Sequence, residues 1–173
     1  PALDEGAGGE PHVRDSTYSC LGSGVVCFAA ASPQRIRSFY ELQKSVPEYQ
    51  DMLRSVPKVL GIWDDHDMGL NDGDARYRWR AESKRMLLDF LDEPANSPRR
   101  SQPGVWMSYM TPGPAGRRIA VHLLDVRHNK DPYGMPNGDF LGEAQWAWLN
   151  ATLRAARDEA AVNVVVSGLQ VLR

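Results

Sequence analysis

Three short apolar runs, each closing abruptly, limit most what this chain can fold into. Lys58-Val59-Leu60-Gly61-Ile62-Trp63 runs straight into Asp64-Asp65-His66-Asp67. Ile119-Ala120-Val121-His122-Leu123-Leu124 ends at Asp125, and Val162-Asn163-Val164-Val165-Val166 ends at Ser167-Gly168. The first reads as a buried strand whose end emits a functional loop, and the other two as further strands. Helical periods lie around them. Ile36, Phe39, Tyr40 and Leu42 mark one face, and Pro47 divides it from Tyr49, Met52 and Leu53, with Pro57 as a stop. Tyr77, Ala81, Met86, Leu87, Phe90 and Leu91 form another, capped by Asp72 or Asp74 and followed by Pro94 and Pro98. Gly142 to about Ala160 is a third, with Trp146, Leu149 and Leu153 on its apolar side. Val105 to Met110 and Arg118 to Val126 flank Thr111-Pro112-Gly113-Pro114-Ala115-Gly116, the chemistry of an antiparallel hairpin. The order helix, strand, helix, hairpin, helix, strand points to α/β packing with a mixed sheet or sandwich.

The chain has 173 residues, 42% hydrophobic and 24% charged, which suits one domain with a real core. A formal net charge of -2 gives no basic footprint for nucleic acid or anionic lipid. No apolar run approaches the roughly 20 residues that span a bilayer. Residues 1–33 lack an apolar period and read as a disordered segment ahead of a domain over 34–173. Residue 1 is proline, which reads as a processed or truncated end. Val25 to Ala31 has the composition of a signal-peptide end, but the stretch before it is acidic and glycine-rich, so no clear signal peptide is read. Cys20 and Cys27 fit no common zinc spacing; a disulfide and two free thiols are both open.

The chemistry concentrates at residues 64–67. Four consecutive ionisable side chains repel one another unless a cation or basic partner lies among them. Carboxylates suit hard divalent ions, and imidazole widens the choice toward zinc, iron or manganese. In an extended loop, Asp65 and Asp67 point one way and Asp64 and His66 the other, so at most two or three share an ion. The competing reading is a solvated surface or a helix cap. An EF-hand fails, because taking Gly73 as the loop glycine puts Met68 and Leu70 where oxygen ligands are needed.

His122, inside an apolar strand, reads as a core histidine, and His128 as an exposed loop histidine near the active edge. Asp125 and Arg127 flank Val126, either as a salt bridge or loop anchor, or with Arg127 holding phosphate oxygens in a bidentate fork. Trp146 and Trp148 read as helix packing. No P-loop, Rossmann or Gly-x-Ser-x-Gly motif is present.

From Phe39 onward the chain resembles the PhoD-like alkaline phosphatases of the calcineurin-like metallophosphoesterase superfamily. The likeness rests on Ile62-Trp63-Asp64-Asp65-His66-Asp67-Met68-Gly69-Leu70-Asn71-Asp72-Gly73. It is supported by Leu123 to Arg127, by Leu141 to Leu149 and by Val166 to Val171. The resemblance implies two mixed sheets flanked by helices, and metal-dependent hydrolysis of phosphate mono- or diesters with calcium, iron, manganese or zinc as cofactor. It implies Asp65 as a metal ligand, with Asp64 and Asn71 as further candidates. His66 would stand near the scissile phosphate, oriented by Asp67. It also implies a small phosphoester as partner, and it admits a secreted or extracytoplasmic location. Two further motifs of the family are missing: no Gly-Asp lies ahead of the acidic loop in residues 1–60, and no Gly-Asp-x-His follows it. The implied domain is therefore a central part, truncated at both ends. The alternative is a degenerate relative that binds an ion or a partner without catalysis.

Overall fold

Pro33 opens helix α1 (Pro33–Ser45), where a missing amide costs nothing, and the Ser32 hydroxyl accepts from the Arg35 amide at 3.3 Å. Pro47 then starts a separate helix α2 (Pro47–Ser55), as its position in the sequence predicts. The computed structural model describes residues 12–14, 18–21 and 26–170, with side chains described from Cys27 onward. α1 lies against α4 (Arg80–Phe90), and Phe90 stacks on Tyr40 at 4.7 Å and on Tyr49 at 5.6 Å between ring centroids. α4 starts later than Asp72 or Asp74 predicts. The Asp74 carboxylate is taken by Arg76, and the Ala75 amide donates to the Lys130 carbonyl at 2.9 Å, drawing this stretch out of a helical ladder.

The expected hairpin is present. Strands β4 (Met107–Pro112) and β5 (Arg118–Leu123) pair antiparallel, with Met107 opposite Leu123 and Pro112 opposite Arg118. β6 (Val162–Val166) joins β5 in parallel after the crossover helix α6 (Glu143–Ala156), giving a mixed sheet in the order β4-β5-β6. The architecture is α/β with this small mixed sheet. Across it runs a polar row: Ser108 Oγ lies 2.7 Å from His122 Nδ1, and His122 Nε2 lies 2.8 Å from Asn163 Oδ1. His122 is fully buried and satisfied on both ring nitrogens, in line with its reading as a core histidine.

The apolar run Lys58 to Trp63 differs from expectation. It forms no helix and joins no ladder among the described residues. Its anchor is a side chain: Arg99 Nη2 donates to the Gly61 carbonyl at 2.7 Å, and Arg99 also holds the Val105 carbonyl and Glu93. Arg99 belongs to the short helix α5 (Pro98–Ser101).

Residues 1–33, expected to lack regular structure, contain three short strands among their described residues: β1 (His12–Arg14), β2 (Tyr18–Leu21) and β3 (Val26–Ala29). They form an antiparallel meander in which Cys20 is the cross-strand partner of Cys27, and Cys27 is disulfide-bonded. The remainder of that stretch lies outside the described residues.

α6 keeps Leu149 and Leu153 on its apolar side as expected, but Trp146 does not lie there. Gln145 and Leu149 are buried, whereas Trp146 is 52% exposed and donates its Nε1 hydrogen to Asp139 at 2.8 Å. Gln145 turns inward because it completes the backbone of Asp125: its Oε1 accepts from the Asp125 amide at 2.8 Å and its Nε2 donates to the Asp125 carbonyl at 2.7 Å. One core cluster gathers Trp63, Met68, Leu70, Tyr77, Leu87, Leu88 and Val105; a second gathers Leu124, Val126, Leu141 and Leu149. No helix among the described residues is long and apolar enough to cross a membrane.

Candidate functional site

The acidic stretch is not an extended loop. Asp64 is the N-cap of a single helical turn, α3 (Asp65–Met68), and its amide donates to Asp67 Oδ2 at 3.1 Å in a capping box. The alternation expected of an extended loop is thereby replaced by helical spacing. Gly69, at φ 121°, closes the turn, and a Cβ there would meet the Tyr77 hydroxyl and Ile36.

The four charged side chains then find different hydrogen-bond partners. Asp65 Oδ1 accepts from the His66 amide and Oδ2 from the Asp72 amide, each at 2.8 Å. Asp64 Oδ1 accepts from Arg127 Nε at 2.6 Å, and Arg127 Nη2 lies 3.6 Å from Asp65 Oδ2. His66 Nε2 lies 3.0 Å from Asn71 Oδ1, and Asn71 Nδ2 donates to Asp72 Oδ2 at 2.9 Å. Since the Asn71 amide nitrogen faces a carboxylate, its oxygen faces His66, so Nε2 is the ring nitrogen that donates and Nδ1 stays open to a ligand. Asp67 closes the capping box and does not reach His66; the residue that orients His66 is Asn71.

Arg127 is the basic partner that the crowding of carboxylates requires. It is 1% exposed, and it sits in the loop that follows β5, brought against residues more than sixty positions earlier in the chain. Burial alone lowers its pKa, but the bond to Asp64 and the charges of Asp65 and Asp64 outweigh that and hold it above the ordinary arginine value. Its guanidinium does not pair with Asp125. The Arg127 amide donates to Asp125 Oδ1 at 3.0 Å, so the loop-anchor role belongs to the backbone. Nη1 is buried without a partner among the described residues. His128 is buried rather than exposed, and it stacks on Trp63 with ring centroids 6.3 Å apart; burial pulls its pKa down.

Two residues of the site are not readable from sequence pattern. Tyr133, in the polar loop after β5, lies near Arg127 and Asp72, and burial raises its pKa. Lys130 is 1% exposed, with Nζ 3.3 Å from the centre of the Tyr133 ring, and burial pushes its pKa down to about 8. Only the long-range folding of the 128–140 loop onto the acidic turn reveals either.

His66, Asp67 and Asn71 line a cavity of about 570 Å³ whose other walls come from β3 and α1. Among the described residues no three His, Cys, Asp or Glu side chains converge to hold a metal ion. The carboxylates of Asp64 and Asp65 are engaged by Arg127 and by backbone amides, so the donors this chain brings together do not fit a two-metal centre on their own. The chain matches no family model, no curated protein and no solved structure.

Proposed function

We propose that this chain serves phosphoester hydrolysis, as the part of a PhoD-like metallophosphatase domain that carries the Asp65-His66 turn. The observation behind the reading is His66, exposed on a cavity, oriented by Asn71, and mounted on a turn whose neighbouring carboxylates are neutralised from beneath by Arg127. When a phosphoester hydrolyses, the bond from phosphorus to the leaving oxygen breaks and that oxygen gains a proton. His66, with Nε2 held by Asn71, offers Nδ1 to that oxygen in its doubly protonated form. Asn71 in turn is fixed by Asp72, which sets the ring orientation. Arg127 acts on the site through Asp64 and Asp65 rather than as a surface clamp, because its guanidinium is buried and already engaged. The metal ions of the reading, whether calcium, iron, manganese or zinc, need ligands beyond those assembled here, so no step is assigned to them.

The test is release of 4-nitrophenol from 4-nitrophenyl phosphate, with each of those metals added in turn. Metal-dependent turnover that is lost in both His66→Ala and Asp65→Asn is the expected result. Turnover that survives both substitutions rules the reading out.

A second reading, an ion- or partner-binding relative without catalysis, is favoured over turnover by Asp64 being engaged by Arg127 and Asp65 by backbone amides, which leaves no two-metal cage. Under it, no metal produces turnover, and a single ion bound at Asp65 would have to displace those partners, so calorimetry records at most a weak heat that Asp65→Asn removes.

A further inference from the structure

The cavity beside His66 has walls that a phosphate group alone does not need. Its volume of about 570 Å³ lies within the range of roughly 300–1,000 Å³ usual for small-molecule sites. Phe28 and Phe39 supply aromatic surface and Ile36 apolar surface. The Phe28 ring meets the His66 imidazole edge to face, with centroids 6.4 Å apart and planes at 68°, so the aromatic wall begins at the group placed to protonate a leaving oxygen. At the same wall, the Arg35 guanidinium lies 5.5 Å from the Phe39 ring centre and forms no ion pair among the described residues.

We infer that this cavity receives the leaving-group side of the phosphoester, and that the group it fits is a flat aromatic alcohol carrying an anionic substituent. The inference rests on the phosphoesterase reading for its orientation, with the ester oxygen at His66. The pocket itself stands on its own walls. A planar ring buries apolar area against Phe28, Phe39 and Ile36, and its quadrupole pairs with the aromatic edges. A small polyol gains neither. Arg35, whose charge is unpaired within the cavity, matches a sulfonate, carboxylate or second phosphate on the far side of the ring. In the hydrolysis the phosphorus–oxygen bond breaks, the alcohol leaves with the proton from His66, and the phosphoryl group takes the oxygen of water. The freed aromatic alcohol is thus a ligand of the same pocket.

The product side gives a test independent of catalysis. The full chain is titrated with 1-naphthol-5-sulfonate and with unsubstituted 1-naphthol, and binding is followed by probe fluorescence. The sulfonated naphthol is expected to bind at least five-fold tighter than the unsubstituted one. Phe39→Ala weakens both at least five-fold, and Arg35→Gln removes the advantage of the sulfonate. Both side chains are exposed, so matching urea midpoints accompany these variants. No saturable binding by the parent chain overturns the inference, as does an unaltered affinity in either variant. Turnover of 1-naphthyl phosphate and glycerol 2-phosphate with equal KM overturns it too. Binding with the expected variant pattern but without turnover of either ester sustains the pocket and removes the phosphoesterase reading.

Discussion

The indole of Trp63 donates its N–H to Asp125 Oδ1 at 2.8 Å, tying the segment that leads into the acidic turn to the end of β5. The same carboxylate accepts the amides of Val105, Arg127 and His128 at 2.8, 3.0 and 2.9 Å. Asp125 is fully buried, and Gln145 closes its backbone from α6. One carboxylate therefore fixes the relative positions of Trp63, the start of the hairpin and the loop that carries Arg127.

Asp125→Asn places an amide nitrogen where four donors converge, so at least one buried donor loses its acceptor. The expected loss of unfolding free energy is about 2–4 kcal/mol, read from urea denaturation. Gln145→Leu strips two hydrogen bonds from the Asp125 backbone and is expected to cost about 1–3 kcal/mol. An Asp125→Asn midpoint equal to that of the parent chain contradicts the hub.

Arg127→Met leaves Asp64 and Asp65 facing each other without a cation. Because Asp64 is partly solvated, the expected cost is about 2–3 kcal/mol, below that of a fully buried pair. Asp64→Asn in the same chain recovers part of the loss. The four members of the cycle, unfolded in urea, give the coupling directly, and strictly additive effects mean the ion pair is not made in solution.

Lys130 has a folded-state pKa pushed down to about 8 by burial, from an ordinary value near 10.5. Below pH 8 both folded and unfolded chains carry its charge, and the burial penalty is present in full. As pH rises from about 8 toward 10.5 the unfolded chain holds the proton longer, so stability rises across that window. The difference in unfolding free energy between the parent chain and Lys130→Met isolates this residue from tyrosines titrating nearby. That difference should move in favour of the parent as pH increases; a flat profile rejects it.

Gly168 lies just past the end of β6, where a Cβ would come within 2.7 Å of the Trp63 carbonyl oxygen and 3.1 Å of the Asp64 Cβ. Backbone cannot yield as a flexible side chain does, so Gly168→Ala is expected to cost about 1–3 kcal/mol. The perturbation falls on the start of the acidic turn. The fluorescence of Trp63, measured in a chain whose other tryptophans are replaced by phenylalanine, should shift with it.

Features governed by local chemistry were legible in the sequence. Pro47 separates α1 from α2 because proline has no amide to continue a helix, and the Pro-Gly run between β4 and β5 makes a turn for reasons confined to those residues. The mixed sheet followed from the order of the runs. The segment Lys58 to Trp63 was misread because strand status depends on a neighbour, and here a guanidinium takes the neighbour's place. The turn at Asp64 carried a readable signal, aspartate at the N-cap and again three residues on, yet the apolar run before it favoured an extended reading. Trp146 turns outward and Gln145 inward because a buried backbone group at Asp125 outweighs hydropathy in choosing what α6 buries. The demand for a positive charge among the carboxylates was legible. That Arg127 meets it was not, since nothing local links positions so far apart, and the same holds for Tyr133.

The row Ser108, His122, Asn163 has a consequence for strand alignment. β6 is nearly all valine, and one valine fits a parallel ladder about as well as the next. Asn163 is the exception, and its side-chain oxygen meets His122 at a single offset between the two strands. Sliding β6 by one residue would send that amide to the opposite face and strand the imidazole without an acceptor. A histidine that offers nothing to a ligand thus serves as the key that lets an otherwise repetitive strand dock in one alignment.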